Sequence, residues 1–145
     1  MKKLVLASLT LLFFSGCYQL KKDNMFIIRG SVQNASGQAV VVQAQDGYRI
    51  CVDVDYTKSK GGVTLHSSTT TDCAALSTDP QGNFQVIRNI AINLNGEEEK
   101  VTINNAKLFV SKSISQSSSH VYPVSLETIN LSDKGGDIKV KATVF

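Results

Sequence analysis

Tyr48-Arg49-Ile50-Cys51-Val52-Asp53-Val54-Asp55-Tyr56 alternates in hydrophobicity with a period of two. Tyr48, Ile50, Val52, Val54 and Tyr56 fall on one side, with Arg49, Cys51, Asp53 and Asp55 on the other. Successive side chains of a strand point to opposite faces, so this segment reads as a strand with one face in a core. The same period continues outward. Upstream, Phe26 to Val32 and Ala39 to Gln45 flank the turn Asn34-Ala35-Ser36-Gly37, and Asp46-Gly47 is a favoured two-residue hairpin. Downstream, Thr57 to Gly62 reads as a basic loop and Val63 to His66 as a short strand, while Ser67 to Thr78 is Ser/Thr-rich and without a clear period. After the turn Asp79-Pro80-Gln81-Gly82, residues Phe84, Val86, Ile90, Ile92 and Leu94 are in phase. Arg88 interrupts that phase as a bulge or an exposed site.

Asn95-Gly96 gives another turn, after which Lys100 to Ile103 and Lys107 to Lys112 read as strands, and Val121 to Leu131 continues in β beyond the polar loop Ser113 to Ser119. Pro123 lacks an N–H and marks an edge or a strand start. In the last strand Ile138, Val140, Ala142 and Val144 alternate with Lys139, Lys141 and Thr143, a lysine face that suits a guarded edge. Short β-branched runs between Gly, Asn, Asp and Ser clusters predict an all-β protein, a single antiparallel β-sandwich.

The beginning of the chain follows another rule. MKKLVLASLTLLFFSGC places Lys2 and Lys3 before an eleven-residue apolar run, Leu4 to Phe14, then Ser15, Gly16 and Cys17. That run suits an export signal and is short of the ~20 residues a spanning helix needs. The segment resembles a bacterial lipoprotein signal, with Phe14-Ser15-Gly16-Cys17 in place of the lipobox. Phe14 stands where that family more often has Leu. The resemblance implies transfer of diacylglycerol to the Cys17 thiol, cleavage before Cys17 and acylation of the new amino group. Two or more acyl chains attach a protein stably to a membrane. Tyr18 rather than Asp follows Cys17, which in the family's sorting habit implies the outer membrane. The expected organisation is a signal over 1–16, an acylated tether over 17–24 and a β-sandwich domain over 25–145.

Without residues 1–16 the chain has 129 of its 145 residues, and its formal charge falls from +3 to +1 as Lys2 and Lys3 leave. That length suits one domain with its own core. No basic patch with interleaved aromatics is present, which argues against a nucleic-acid partner. With Cys17 assigned to lipid, Cys51 and Cys73 remain as an even pair, and export makes a disulfide the expected state, with free thiols the alternative. The bridge would pin an insertion. No CxxC or His spacing supports a metal, and no cofactor is implied.

Two segments resemble the carboxypeptidase regulatory-like, or transthyretin-like, sandwich modules. Gly30-Ser31-Val32-Gln33-Asn34-Ala35-Ser36-Gly37-Gln38-Ala39-Val40 is similar to that group's opening G-x-V-x-x-x-x-G-x-x-V pattern. Thr78-Asp79-Pro80-Gln81-Gly82-Asn83-Phe84 is similar to its T-D-x-x-G-x-F turn into a core strand. Gly30, Gly37, Asp79, Gly82 and Phe84 are the residues that carry the likeness. The stretch between the segments is longer than usual in the group, and other immunoglobulin-like sandwiches share the same turn spacing. The hydrolase branch of this fold ends in Tyr-Arg-Gly-Ser, whereas this chain ends Lys141-Ala142-Thr143-Val144-Phe145.

Catalysis has little to stand on. His66 and His120 are the only histidines, each beside serines but outside any nucleophile elbow. Asp53, Asp55, Asp72 and Asp79 lack a calcium loop around them. Phe145 resembles the closing residue of outer-membrane barrels, but Thr143, Lys141 and Lys139 occupy the in-phase positions and the strands are too few and too polar. The expected function is therefore a non-catalytic envelope lipoprotein whose sandwich binds a protein partner. Its recognition loops would be Thr57 to Thr78 and Ser113 to Ser119, or an exposed strand edge would serve. The alternative is a small ligand such as carbohydrate, which would need exposed aromatics; the chain has no Trp and four Tyr.

Overall fold

A computed structural model describes residues Leu20 to Val144. The described residues form seven strands: β1 (Leu20–Gln33), β2 (Tyr48–Lys60), β3 (Val63–Ala75), β4 (Asn83–Leu94), β5 (Glu99–Ser115), β6 (Ser118–Ser132) and β7 (Gly135–Thr143). One 3-10 turn, Ala44–Asp46, precedes β2, so the fold is all-β as expected. The strands form one order, β3-β2-β5-β6-β7-β1-β4. All neighbours are antiparallel except β1 and β7, which run parallel from Met25↔Gly135 to Gln33↔Thr143. The sheet is thus mixed and not antiparallel, because the chain's first and last strands pair in the same direction. Parallel neighbours need a long connection, and here the whole intervening chain supplies it.

A corner along β6 bends this sheet. Its first part pairs with β5 as far as Phe109↔Pro123, and its remainder pairs with β7 from Val124↔Ala142 onward. Pro123 cannot donate to a ladder, and it sits where the strand leaves one neighbour for the next, inside the sheet. Strands on both sides of the corner contribute to one core that includes Phe26, Ile28, Val52, Ile90, Leu108 and Ile138. Val42, Leu76 and Val144 are buried at the end where β2 begins. At the open flanks β3 meets β4 through side chains. Arg88 forms a two-pronged ion pair with Asp72, its Nη2 donating to Oδ1 at 3.0 Å. Arg88 occurs without a bulge, in continuous register with Phe26, and takes the inward phase at the margin of the core.

Several local expectations change. Ala39 to Gln45 is no strand beyond a single bridge, Gln33↔Ala39. The Asp46 carboxylate accepts from the Gln43 N–H at 2.8 Å, which winds the 3-10 turn instead of a hairpin, and Gly47 ends it. β5 is one strand where the sequence shows two patterns. The register shift between β2 and β5 leaves Asn104 unmatched, so the buried series switches from Val101 and Ile103 to Ala106, Leu108 and Val110. β7 lies between β6 and β1, so its lysine face guards no edge; the edges are β3 and β4. Leu20 to Asn24, read as tether, are paired in β1, and Asn24 is fully buried.

Ser67 to Thr78, which shows no period, is mostly strand. It continues Val63 to His66 into one 13-residue β3, paired along β2. Thr71 and Thr69 hydroxyls donate to Asp53 and Asp55 across that pair. Cys51 and Cys73 face each other in register and are bonded, with Cα atoms 4.1 Å apart. The disulfide therefore staples two neighbouring strands and pins no loose insertion. A loop of this size is worth ~3 kcal/mol in the chain-entropy description. Reduction, verified by thiol titration, is expected to lower Tm by roughly 10 °C, read by circular dichroism. An unchanged Tm would contradict a stabilising role.

Candidate functional site

The residues of the two glycine-turn segments, far apart in sequence, meet on β1 and β4. Gly30 is the register partner of Phe84, and Ser31 of Asn83. Val32 N–H donates to Gly82 O at 2.8 Å, tying the second turn to the first strand. At Gly30 the backbone of β7 comes so near that a Cβ would lie 2.3 Å from Val140 O and 3.0 Å from a Phe84 ring carbon. Only glycine fits there, and the Phe84 ring fills the space beside it. Gly82 has φ +80° and a would-be Cβ 2.9 Å from Val32 O. Gly37 closes the Asn34 turn, whose Oδ1 accepts from the Ser36 and Gln38 N–H groups at 3.0 Å each.

Asp79 shapes the turn that leads into Phe84. Its Oδ1 accepts from Asn83 N–H at 2.8 Å and Gln81 N–H at 2.9 Å. The Asn83 N–H foremost, then its side chain and the Gln81 N–H, hold this carboxyl below the usual aspartate range. Its work is structural.

A groove of about 470 Å³ runs over this junction, with Gly30 and Phe84 in its lining. Its rim comes from four strands. Arg29 Nη1 donates to both Asp137 oxygens at 2.8 Å, and its Nε donates to Gln85 Oε1 at 3.0 Å. Lys139 and Lys141 reach Glu127 at 3.1 Å and 3.7 Å. The hydrogen bond from Lys139 is the main reason the Glu127 carboxyl lies below its ordinary range. Every one of these rim charges is substantially exposed, so each pair contributes little to stability and is open to exchange for a partner's groups. Alternating guanidinium, ammonium and carboxylate suit a polar surface that recognises, with no nucleophile–base pair among them. Arg29, Gln85, Glu127 and Asp137 are not singled out by the sequence. Their proximity depends on the β1–β7 pairing, for which a local pattern holds no signal.

Other proposed sites separate. His66 lies on β3 opposite Lys58, whereas His120 lies at the start of β6 with its ring 4.4 Å from that of Tyr122. These are opposite ends of the sheet. The loops expected to act together meet only in part. The tip of the β2–β3 hairpin lies thirteen residues of β2, about 40 Å, from the Ser113 end. Ala74 to Thr78 return to where β2 begins, the end at which Ser113 N–H donates to Gly47 O. Tyr122 is 5% exposed, and Tyr48 and Tyr56 pack against the core, which leaves them poorly placed to stack on a sugar. Lys112 Nζ donates to Tyr48 Oη at 3.2 Å, a bond that raises the lysine's pKa. Among the described residues no cluster of three His, Cys, Asp or Glu stands close enough for a metal. Cys17 lies outside the described residues. Compared with protein-family models, curated proteins and solved structures, the chain matches none.

Gly30→Ala is expected to cost about 1–3 kcal/mol or more, by forcing β7 from β1, and a denaturant melt measures it. Retained stability would contradict the close approach. Asp79, Glu99 and Glu127 are all held below their ordinary values, so the stability they contribute is full above the unfolded range near ~4 and is lost as pH falls through their folded values. Asp79→Asn keeps the accepting oxygen and removes the titration. Its Tm should fall less than that of the wild type between pH 7 and pH ~3; equal falls would remove Asp79 from the account.

Proposed function

We propose that this chain is a non-catalytic envelope lipoprotein, held to a membrane through acylated Cys17, whose β domain binds a protein partner. The observation that carries the reading is the run Leu4 to Cys17 followed almost at once by β1 at Leu20. The bent, two-halved sheet and the meeting of Gly30 with Phe84 support a sandwich of the transthyretin-like kind. Recognition falls to the groove beneath Arg29, Glu127, Lys139 and Lys141, whose exposed charges can trade their present partners for those of another protein. The edge strand β4, which lines the groove, offers main-chain groups for strand addition beside it, and β3 is the other edge. The outer membrane, as the sorting habit implies, is the compartment to examine first.

The test is capture from gently solubilised membranes with a C-terminal tag, comparing wild type, Cys17→Ala and the double change Arg29→Glu and Lys141→Glu. A reproducible partner set is expected from the wild type, with loss or strong depletion in both variants. Identical capture by all three folded proteins would contradict the proposal.

A further inference from the structure

The end of the domain at which β1 begins also carries the tip of the β2–β3 hairpin. Leu20 is opposite Leu94, the last residue of β4, and the chain then turns through Asn95 and Gly96 into β5. Glu99 at the start of β5 is opposite Lys60, and Lys60 is opposite Val63. Two side-chain bonds confirm that these elements share one end. Lys22 Nζ donates to Val101 O at 3.2 Å, and Lys60 pairs with Glu98 at 2.9 Å. At this tip Val63 is 64% exposed and Leu65 51% exposed, on a strand with no hydrogen-bonded strand on its outer side among the described residues.

We infer that the β2–β3 tip rests in the interface of the bilayer that holds Cys17, and sets the pose of the domain on the membrane. The inference rests on acylation of Cys17 as proposed above. Two residues, Tyr18 and Gln19, separate Cys17 from Leu20, so the three steps between them reach about 10 Å at full extension. With the acyl chains in the hydrocarbon, the Leu20 end of the domain lies within roughly the depth of the headgroup layer, and the tip lies at that level. Two apolar side chains at an exposed edge are costly in water and favoured at an interface, and the stems of Lys58 and Lys60 can lie along them with the ammonium groups among the headgroups. Glu97, Glu98 and Glu99 line the same turn as Lys60 and offset much of the lysine charge. Contact is thus carried by Val63 and Leu65 and not by charge. The pose points the other end, with the Asn34 turn and the Ser113 to Ser119 loop, away from the lipid.

The chain has no Trp, so a single introduced Trp reports its own surroundings. Leu65→Trp is compared with Ile114→Trp, whose site is 68% exposed at the far end. Each full-length protein is purified from membranes, its Cys17 mass measured, and reconstituted into phosphatidylethanolamine vesicles with and without phosphatidylglycerol. Brominated phosphatidylcholine is the quencher. The expected result is blue-shifted emission at position 65, quenched several-fold more than at position 114, with little dependence on phosphatidylglycerol. Equal quenching at the two sites, with Cys17 acylated, overturns the pose and leaves the anchor intact. A Trp at 65 that is shielded yet unquenched shows a protein cover, such as a second copy, and also overturns it. A Cys17 without acyl mass overturns the anchor and the pose together.

Discussion

β1 is clasped on both sides, by β4 along Leu20 to Ser31 and by β7 from Met25 to Gln33, and at Gly30 the clasp leaves no room for a Cβ. This contact joins the beginning of the domain to its end. It places Ile28 beside Ile138 and Val32 beside Ala142 in the buried row, so the core is completed only when β7 arrives. It also decides which charges meet above. Arg29 lies between Gln85 and Lys139 in register, and Asp137 comes within its reach. The rim of the groove is thus a consequence of how the sheet is assembled. A pairing between the first strand and the last carries a large loop-closure cost, which the apolar rows on both strands must offset.

The remaining geometry follows from Pro123. A strand that must change neighbours has one residue at which a missing N–H does least harm, and β6 places its proline there. On one side of the corner, β2 and β5 run as long partners stapled to β3 through Cys51 and Cys73. On the other, β7, β1 and β4 form the groove-bearing half. Arg88 and Asp72 link the two edges where no ladder does, so a polar pair occupies what would otherwise be a core position.

The period of two made most strands legible, above all Tyr48 to Tyr56 and Phe84 to Leu94, because alternation is a local property of the chain. The Asn34, Asp79 and Asn95 turns were legible for the same reason: each rests on residues within a few positions of one another. β3 was only half legible. Its Ser and Thr residues show no apolar alternation, since an edge strand near a hairpin tip buries little, and its partner β2 supplies the hydrogen bonds that keep it extended. The parallel β1–β7 pair left no trace, as no turn or motif encodes a contact between residues about 110 positions apart. The lysines of β7 were visible as an alternating face, but whether such a face guards an edge or rims a groove depends on the strand beside it. Gly30 and Phe84 were visible as turn-segment residues, and their direct pairing gives that spacing a physical cause.

The function proposed here inherits the same division. The anchor is read from a local composition, while the groove and the orientation of the tip come from pairings that only the fold displays. The groove depends on β1 ending beside β7, and the pose of the tip on β1 starting close to Cys17. The most direct measurement is the pattern of interstrand amide and Cα proton contacts by nuclear magnetic resonance in the folded domain. Contacts that link Ile27 to Asp137, Arg29 to Lys139 and Ser31 to Lys141 in rising parallel order are the predicted result. Contacts that run in opposite order along the two strands, or a β7 without contacts to β1, would contradict it.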